Sequence, residues 1–292
     1  MKKIIYGSAM LFGLALAGPA FAADIPLKAP AAPVAVGWGG WYVGVEAGEK
    51  WKSDDWTTTC VQGGFPGLLC GTKANAAAFP GAPDATSPHD FKNHGFRIGG
   101  YIGANTQQGL WVYGFEADWA HYDQSSSVAG IVGASTPGCC NLIPNSPTLD
   151  RTSVTNKWDG SLRVRGGYLL TPDVLLYATG GFALQQLSAR VSCVGPAFVP
   201  GVGTIVTSPV CGVPGTKAQT SSDILPGWTI GAGLEWKLMP NIILRGEYRY
   251  SDFGSVKEAF FVNSGDVEIF SRIHVRSQIA TAGIAYKFDW WR

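Results

Sequence analysis

The clearest alternation of apolar and polar positions in this chain lies between Gly227 and Tyr250. Large apolar residues, Trp228 and Trp236 among them, alternate there with small or charged residues such as Glu235. A period of two is that of a β-strand whose two faces meet different surroundings. Here one face is apolar and rich in aromatic rings, and the other is small or charged.

The same alternation recurs along the chain and predicts eight strands. The last of them exchanges its apolar and polar faces near Ser277, and we expect a β-bulge there. The predicted strands cover residues 40–51, 96–105, 110–122, 158–170, 174–185, 227–238, 242–250 and 273–288.

The connections between these strands alternate in length. Three are short turns, whereas four are long and rich in Gly, Pro, Ser and Thr, at roughly 53–93, 126–156, 190–222 and 254–270. Short turns at one end and long loops at the other are typical of a bacterial outer-membrane barrel. Because hydrocarbon leaves no backbone N–H a partner outside the sheet, a spanning sheet must close on itself.

The expected fold is therefore all-β: an eight-stranded antiparallel transmembrane β-barrel with short periplasmic turns and four long extracellular loops. The alternative, a soluble β-sandwich, would bury the apolar face. It gives no reason for the Trp and Tyr residues near the strand ends, which an aromatic girdle at each membrane interface accounts for.

The N-terminus carries an export signal. Lys2 and Lys3 precede an apolar stretch, and Ala20-Phe21-Ala22 has the small-x-small form of a cleavage site. We expect a signal peptide over residues 1–22, a Pro/Ala-rich periplasmic leader over 23–38 and the barrel over 39–292; the alternative is a retained N-terminal helix. The chain has no later run of eighteen apolar residues, so no transmembrane helix is expected.

Charge is nearly balanced. Without the two signal-peptide lysines the chain has 20 basic and 21 acidic residues. Such a balance gives no reason to expect nucleic acid as a partner.

The six cysteines lie in pairs in the expected loops. In an exported chain, paired cysteines favour local disulfides, with Cys60–Cys70 and Cys193–Cys211 as the natural pairs. The adjacent Cys139 and Cys140 stay open, because a vicinal bridge is strained. Free thiols or pairing between loops are the alternatives, and no CxxC spacing suggests a metal.

The polar face of the strands carries charge of both signs. In an eight-stranded barrel the interior is about wide enough for side chains to fill it, and a buried charge needs a partner. We expect a lumen network of paired charges formed by Glu46, Arg97, Glu116, Asp118, Asp159, Arg163, Arg165, Glu235, Lys237, Arg245, Glu247, Arg249 and Lys287.

Three stretches, "GGWYVGVEAG", "GGYLLTPDVLLYATGG" and "EYRYSDFG", resemble the eight-stranded outer-membrane barrels of α-proteobacteria. These are the outer-membrane immunogenic proteins, similar in form to opacity-type surface antigens. The resemblance covers nearly all of residues 23–288. The final strand also resembles the signal read by the barrel-assembly machinery, with Thr281, Gly283, Tyr286 and Phe288 at the matching positions. The family usually ends at that Phe, whereas here residues 289–292 follow.

The function expected from these features is structural and surface-displaying, of the antigen or adhesion type, with a lumen plugged by paired charges. The expected partners are the lipid bilayer and lipopolysaccharide of the outer membrane, the assembly machinery, and a host surface or small ligand at the loops. The alternatives are a narrow gated channel, or a receptor that binds haem or another ligand through His89 or His94.

No cofactor and no catalytic site are expected. Only two clusters suggest acid–base chemistry, Asp118 with His121 and Ser125, and His89 with Asp90 and His94. Neither has a recognisable spacing, and a catalytic triad is identified by its geometry.

Overall fold

The computed structural model describes residues 37–62, 85–134, 150–195, 197–199, 203–205, 211, 215–262 and 268–288. The expected signal peptide, the leader up to residue 36, Cys70, Cys139, Cys140 and the four residues after Phe288 lie outside this part of the chain. Within it no helix is long and apolar enough to cross a membrane, a finding that concerns helices alone.

Ten strands form the described structure. They are β1 Gly40–Gln62, β2 His89–Gln108, β3 Trp111–Ala129, β4 Arg151–Thr171, β5 Val174–Val194, β6 Ala197–Val199, β7 Gly203–Ile205, β8 Thr216–Met239, β9 Ile242–Phe260 and β10 Glu268–Phe288.

Eight of these strands close into one barrel in the order β1-β10-β9-β8-β5-β4-β3-β2, with every neighbouring pair antiparallel. The predicted eight-stranded antiparallel barrel is therefore confirmed. The short strands β6 and β7 pair with each other in the connection between β5 and β8. This small hairpin was not predicted.

The turns at one end of the barrel are tight. Two residues each join β2 to β3, β4 to β5 and β8 to β9. In the first of these turns Gly109 has a φ of +61°, a conformation that glycine adopts without steric penalty.

The barrel strands are longer than the sequence pattern predicts. They contain 19 to 24 residues each, whereas about ten cross a bilayer. The four predicted long loops are therefore wrong in their bounds, because each of their ends is occupied by strand. The connections left are 63–88, 130–150, 195–215 and 261–267.

The missed strand ends have the opposite polarity from the rest. In the lower part of β10 the apolar residues Ile284 and Phe288 point outward and are about half exposed. Above Ser277, Ile273 is fully buried inside, and Arg276 lies on the outside. Inward and outward residues alternate without a break through Ser277. The expected bulge at this position of β10 is therefore wrong. The apolar residues change sides in the sequence because the strand passes from the apolar belt, where they face outward, to a part where they face inward.

A bulge does lie close by, on the neighbouring strand. Between the ladder pairs Arg276↔Asp252 and His274↔Ser255, β9 advances by three residues and β10 by two. The additional residue belongs to β9, where Gly254 has a φ of +66°.

A belt of exposed apolar side chains surrounds the lower part of the barrel. Ten residues separate Trp41 from Trp51 on β1, which at ~3.3 Å per residue and a ~40° tilt corresponds to about 25 Å, the height of the apolar band of an outer-membrane barrel. Aromatic residues mark its two edges: Trp41, Trp111, Tyr168, Trp236 and Phe288 near the turns, and Trp51, Phe96, Trp119, Trp228 and Tyr248 at the other edge.

Candidate functional site in the barrel interior

The interior of the barrel is filled by side chains in three layers. The middle layer lies at the level of the apolar belt and is made of charges. All thirteen residues of the expected charge network lie inside the barrel and are at most 8% exposed. Their burial places charge where water cannot screen it, so partners decide whether the layer is stable.

Arg97 stands at the centre of the upper half of this layer. Its Nη2 lies 2.7 Å from an Asp118 carboxylate oxygen and 2.8 Å from an Asp159 oxygen. Its Nη1 donates to Glu46. Asp118 also accepts from Arg249 at 2.8 Å. One guanidinium thus joins carboxylates from β1, β3 and β4.

Glu116 has the corresponding position in the lower half. It accepts from Arg163 at 2.5 Å, from Arg245 at 2.6 Å and from the Tyr42 hydroxyl at 2.8 Å. Arg245 continues to Glu46 at 2.9 Å, which connects the two halves.

The remaining charges of the layer extend this network. Arg163 lies 2.6 Å from Glu247, and Arg165 lies 2.8 Å from Glu235. The two other predicted members, Lys237 and Lys287, lie nearer the turns, and Lys287 donates to the Gly39 carbonyl at 3.4 Å.

Lys50 is a member of the network that the prediction omitted. It is fully buried, and its ammonium donates to Asp159 at 2.6 Å, Gln185 at 2.7 Å and the Tyr122 hydroxyl at 2.8 Å. The signal was available, because Lys50 lies four residues after Glu46 on the same face of β1. With Lys50 included, six carboxylates meet six cations in this layer.

Tyrosine rings complete the packing between the charges. The Arg245 guanidinium lies 3.6 Å from the centre of the Tyr101 ring, and that of Arg165 lies 4.1 Å from the centre of the Tyr177 ring. The Tyr177 hydroxyl also donates to Glu247 at 2.7 Å. Such ring–cation contacts gain strength where water is excluded.

Below the charges, an apolar layer closes the end with the tight turns. Its residues are Trp38, Tyr42, Tyr101, Val112, Leu169, Leu175, Tyr177, Ile243 and Ala285. Trp38 is 1% exposed, and its indole N–H donates to the Pro172 carbonyl at 3.1 Å. The Lys237 ammonium lies 4.6 Å from the centre of the Trp38 ring. Trp38, two residues before β1, thus covers this mouth.

Above the charges, a larger apolar core fills the part of the barrel outside the belt. We call this part, formed by the strand ends beyond the upper girdle, the extension. Trp56 is fully buried at its centre, stacks on Phe260 with ring centroids 5.7 Å apart and meets Phe91 edge-on at 6.1 Å. Each large side chain buried in this way contributes about 1.5–3 kcal/mol, so the extension is stabilised as a water-soluble domain is.

The connection after β3 contributes to the same core. Ile131 and Val132 are nearly fully buried, and the Val132 carbonyl accepts from the Thr58 hydroxyl at 2.5 Å. This segment therefore folds over the open end of the barrel. Cys193 and Cys211 join the core as a disulfide, as expected. Cys60 is also disulfide-bonded.

Glu258 is a carboxyl group of the extension with an altered pKa. Burial raises its pKa to about 7, and a hydrogen bond with Asp223 acts in the same direction. A carboxyl that holds its proton near neutral pH can share it with a second carboxyl without charge repulsion.

The histidines of the haem alternative do not meet. His89 faces inward, in edge contact with Phe91 at 4.6 Å, whereas His94 faces outward and lies 2.7 Å from Glu49. Five residues apart on one strand, they point to opposite faces, so they cannot bind one haem from its two sides. Within the described part of the chain no group of three or more His, Cys, Asp or Glu residues could hold a metal ion.

The two clusters considered for acid–base chemistry are not assembled either. Asp118 is held inside the barrel by arginines, whereas His121 is exposed on the outside. The residues of the assembly signal are arranged along β10: Thr281 points inward, and Tyr286 and Phe288 lie in the exposed belt with ring centroids 4.9 Å apart.

Comparison with known proteins agrees with this architecture. The family described as "Outer membrane protein beta-barrel domain" matches residues 9–288. The 31 kDa outer-membrane immunogenic protein of Brucella melitensis biotype 1 is 29% identical, over 99% of this chain and all of that protein. The 25 kDa outer-membrane immunogenic protein of Brucella abortus biovar 1 is 26% identical, over 99% of both chains.

Among solved structures, the outer membrane protein OprG from Pseudomonas aeruginosa is similar over 87% of this chain and 99% of that chain, at 10% identity and a TM-score of 0.48. The family match covers every barrel strand. The chain belongs to the outer membrane protein β-barrel domain family and is located in the bacterial outer membrane.

Proposed function

We propose that this protein is a closed structural barrel that holds an extended surface structure above the outer membrane. The observation that supports a closed lumen is the sequence of three filled layers. An ion would have to pass Trp38, then a charge layer in which each guanidinium is held by carboxylates, then the core around Trp56. Opening any of them would leave buried charges or apolar side chains exposed, at a cost of several kcal/mol (~3–5).

Single-channel recording tests the closed lumen. The chain from residue 23 onward, refolded and checked by the gel-mobility difference between boiled and unboiled samples, should give no discrete current steps in a planar bilayer. A protein-free detergent sample is the blank, and a general porin shows that the bilayer reports conduction.

Reproducible steps would contradict the closed lumen if their size depended on a lumen residue. Arg245→Ala is the diagnostic variant, because Arg245 connects Glu46 and Glu116. Tyr248→Ala changes an outward residue on the same strand and serves as its control. Steps altered by the first and not by the second would support the narrow gated channel instead.

Display at the cell surface rests on the length of the extension. On β1, eleven residues follow Trp51 before the strand ends at Gln62. At ~3.3 Å per residue and a ~40° tilt, the strand reaches about 28 Å beyond the girdle. A rigid, apolar-cored support then presents the long connections. Two relatives are named outer-membrane immunogenic proteins, and such a position would expose the surface to antibodies.

An epitope-tag experiment tests this orientation. A tag inserted after Gln62 should bind antibody on intact cells, whereas a tag between Pro172 and Asp173 should bind only after the outer membrane is permeabilised. The reverse result would mean that the extension faces the periplasm and would end the display function.

A further inference from the structure

The β9 bulge brings together three side chains that a regular strand would separate. The Ser255 hydroxyl oxygen lies 2.9 Å from Nδ1 of His274. On the other side of the same ring, Nε2 lies 3.4 Å from an oxygen of Asp252. A serine, a histidine and an aspartate are thus connected in series on the outer wall of the barrel.

The bulge is the reason for this arrangement. Residues three apart in a regular strand point to opposite faces, so Asp252 and Ser255 would not meet the same histidine. The additional residue, with Gly254 at a φ of +66°, returns Ser255 to the outer face. The Gly254 N–H donates to the other Asp252 oxygen at 2.8 Å, which fixes the carboxylate. Bulges commonly redirect a side chain next to an active site.

The neighbouring cation does not compete for this carboxylate. Arg276 is the ladder partner of Asp252, but its guanidinium binds Asp55 on β1. Asp252 is therefore left to the histidine. The Ser255 side chain is exposed, and the His274 side chain is 34% exposed, so a substrate can reach both.

A groove lies on the same outer wall. None of the three residues lines it, but Arg276, the ladder partner of Asp252, does. Its volume is about 540 Å³, within the range of small-molecule sites. Tyr250 on β9 and Arg276 on β10, the two strands that carry the serine and the histidine, line one side of it, and Trp51, Lys92 and His94 on β1 and β2 line the other. Trp51 belongs to the upper girdle, whereas Lys92 and Arg276 carry positive charge. Lys92 lies 3.3 Å from Asp90, which also lines the groove, and Arg276 binds Asp55. The lining still contains more cations than carboxylates, above an apolar lower edge, and this favours an anionic amphiphile.

We propose that Ser255 and His274, positioned by Asp252, form a hydrolytic site for carboxylic esters of anionic lipids in the outer leaflet. This departs from the expectation that the chain has no catalytic site. With the imidazole proton on Nε2, facing Asp252, Nδ1 accepts the proton of the serine hydroxyl. Ser255 is then the nucleophile, His274 the base and Asp252 the group that orients the base.

The reaction has two steps. The Ser255 oxygen attacks the acyl carbonyl carbon, and its proton passes to Nδ1 of His274. The ester C–O bond breaks, and the departing alcohol takes that proton. Water then attacks the acyl-serine, again giving a proton to His274, and releases the carboxylic acid with Ser255 restored.

Hydrolysis by the full mature chain in mixed micelles tests the proposal. Dioleoylphosphatidylglycerol and lipid A are assayed separately, since both combine acyl esters with phosphate. Fatty-acid release from either lipid is the expected result. The lipid that is hydrolysed faster identifies which of the two sources of anionic acyl ester the site takes. Ser255→Ala should reduce the rate to that of protein-free micelles, and His274→Gln should reduce it at least ~100-fold.

Asp252→Asn keeps an oxygen for the Gly254 N–H but removes the charge that orients the ring. It should lower kcat at least ~10-fold and leave KM unchanged, which a change in lipid binding would not do. The matched controls are Ser125→Ala and His121→Ala, on the outer wall of β3, which should retain the wild-type rate.

Covalent labelling provides a second measurement that does not depend on the choice of lipid. A fluorophosphonate should modify Ser255, located by mass spectrometry, and should not modify it in the His274→Gln variant. The proposal is overturned if the folded chain neither releases fatty acid nor is labelled at Ser255, or if Ser255→Ala retains the wild-type rate.

Discussion

At the scale of single residues, the stability of the membrane-embedded part depends on a few buried charges, each of which binds several partners. Arg97 is fully buried and contacts Glu46, Asp118 and Asp159. The hydrophobic residues on the outside of the barrel face lipid. Burial of apolar side chains alone therefore does not stabilise the interior of this part. The paired charges supply the specific contacts that fix the strands relative to one another.

Arg97→Met should therefore be strongly destabilising, because three carboxylates lose their shared cation. We expect a loss of about 3–5 kcal/mol in the free energy of unfolding, measured by urea titration in detergent micelles. Arg151→Met, which removes an exposed arginine that binds only the Ser127 hydroxyl among the contacts described, should change it by less than about 0.5 kcal/mol. Equal effects of the two variants would contradict the role of the network.

Glu258 gives the extension a stability that depends on pH. Its folded-state pKa is about 7, above the value of 4.5 for a free side chain. A raised carboxyl pKa means that the folded state binds the proton more tightly. The stabilisation is complete below pH 4.5 and is lost as pH rises through 7.

We expect the thermal midpoint of the extension, followed by tryptophan fluorescence, to fall between pH 5 and pH 8. Glu258→Gln should reduce this fall, whereas Asp123→Asn, an exposed carboxyl on β3, should leave it as in the wild type. A Glu258→Gln variant with the same pH dependence as the wild type would show that another group is responsible.

At the scale of elements, each strand has two parts with opposite polarity. On β1, Trp51 faces outward in the girdle, whereas Trp56 is fully buried in the extension core. The lower parts could be predicted from the sequence, because outward apolar and inward charged residues alternate clearly. The upper parts resemble loops in composition, and their apolar residues point inward instead of outward. The alternation of outward apolar and inward charged residues therefore identifies the strands only as far as the girdle.

The members of the charge network could be predicted for the same reason as the strands, because the alternation along each strand alone shows which residues face the lumen. Which charges pair could not be predicted, because the partners come from strands far apart in sequence. The β9 bulge could not be predicted either. Its position depends on a single glycine with positive φ, and alternation on each side of it looks regular.

Trp56→Ala tests the independence of the two parts. It removes the centre of the extension core and should cost about 3–5 kcal/mol there. In hydrogen–deuterium exchange, residues 52–62 should exchange much faster, whereas 41–51 should stay protected by the lipid-embedded ladder. Trp51→Ala, on the outward face of the same strand, should leave residues 52–62 protected. Faster exchange in both segments after Trp56→Ala would mean that the barrel unfolds as one unit.

At the scale of the whole molecule, the protein combines a membrane barrel and a soluble-like barrel in one continuous sheet. The strands continue from the membrane barrel into the soluble-like barrel without interruption. Only the side on which the apolar residues lie changes, from the outside to the inside. The closed interior and the raised surface both follow from this. Charges fill the lumen where the outside is lipid. Where the outside is water, the apolar core around Trp56 fills it, together with the buried ion pair of Lys52 and Asp54.

The most direct test is the depth of outward positions along β8, a strand without a register shift on its β5 side. Nitroxide side chains, introduced bio-orthogonally to spare the cysteines, would replace Leu234 and Ile230 in the belt and Ser222 and Thr220 in the extension. In reconstituted bilayers, we expect the first pair to collide preferentially with oxygen and the second with a water-soluble nickel complex. Preferential collision with oxygen at Ser222 and Thr220 would mean that lipid covers the whole strand, and would contradict the two-part barrel.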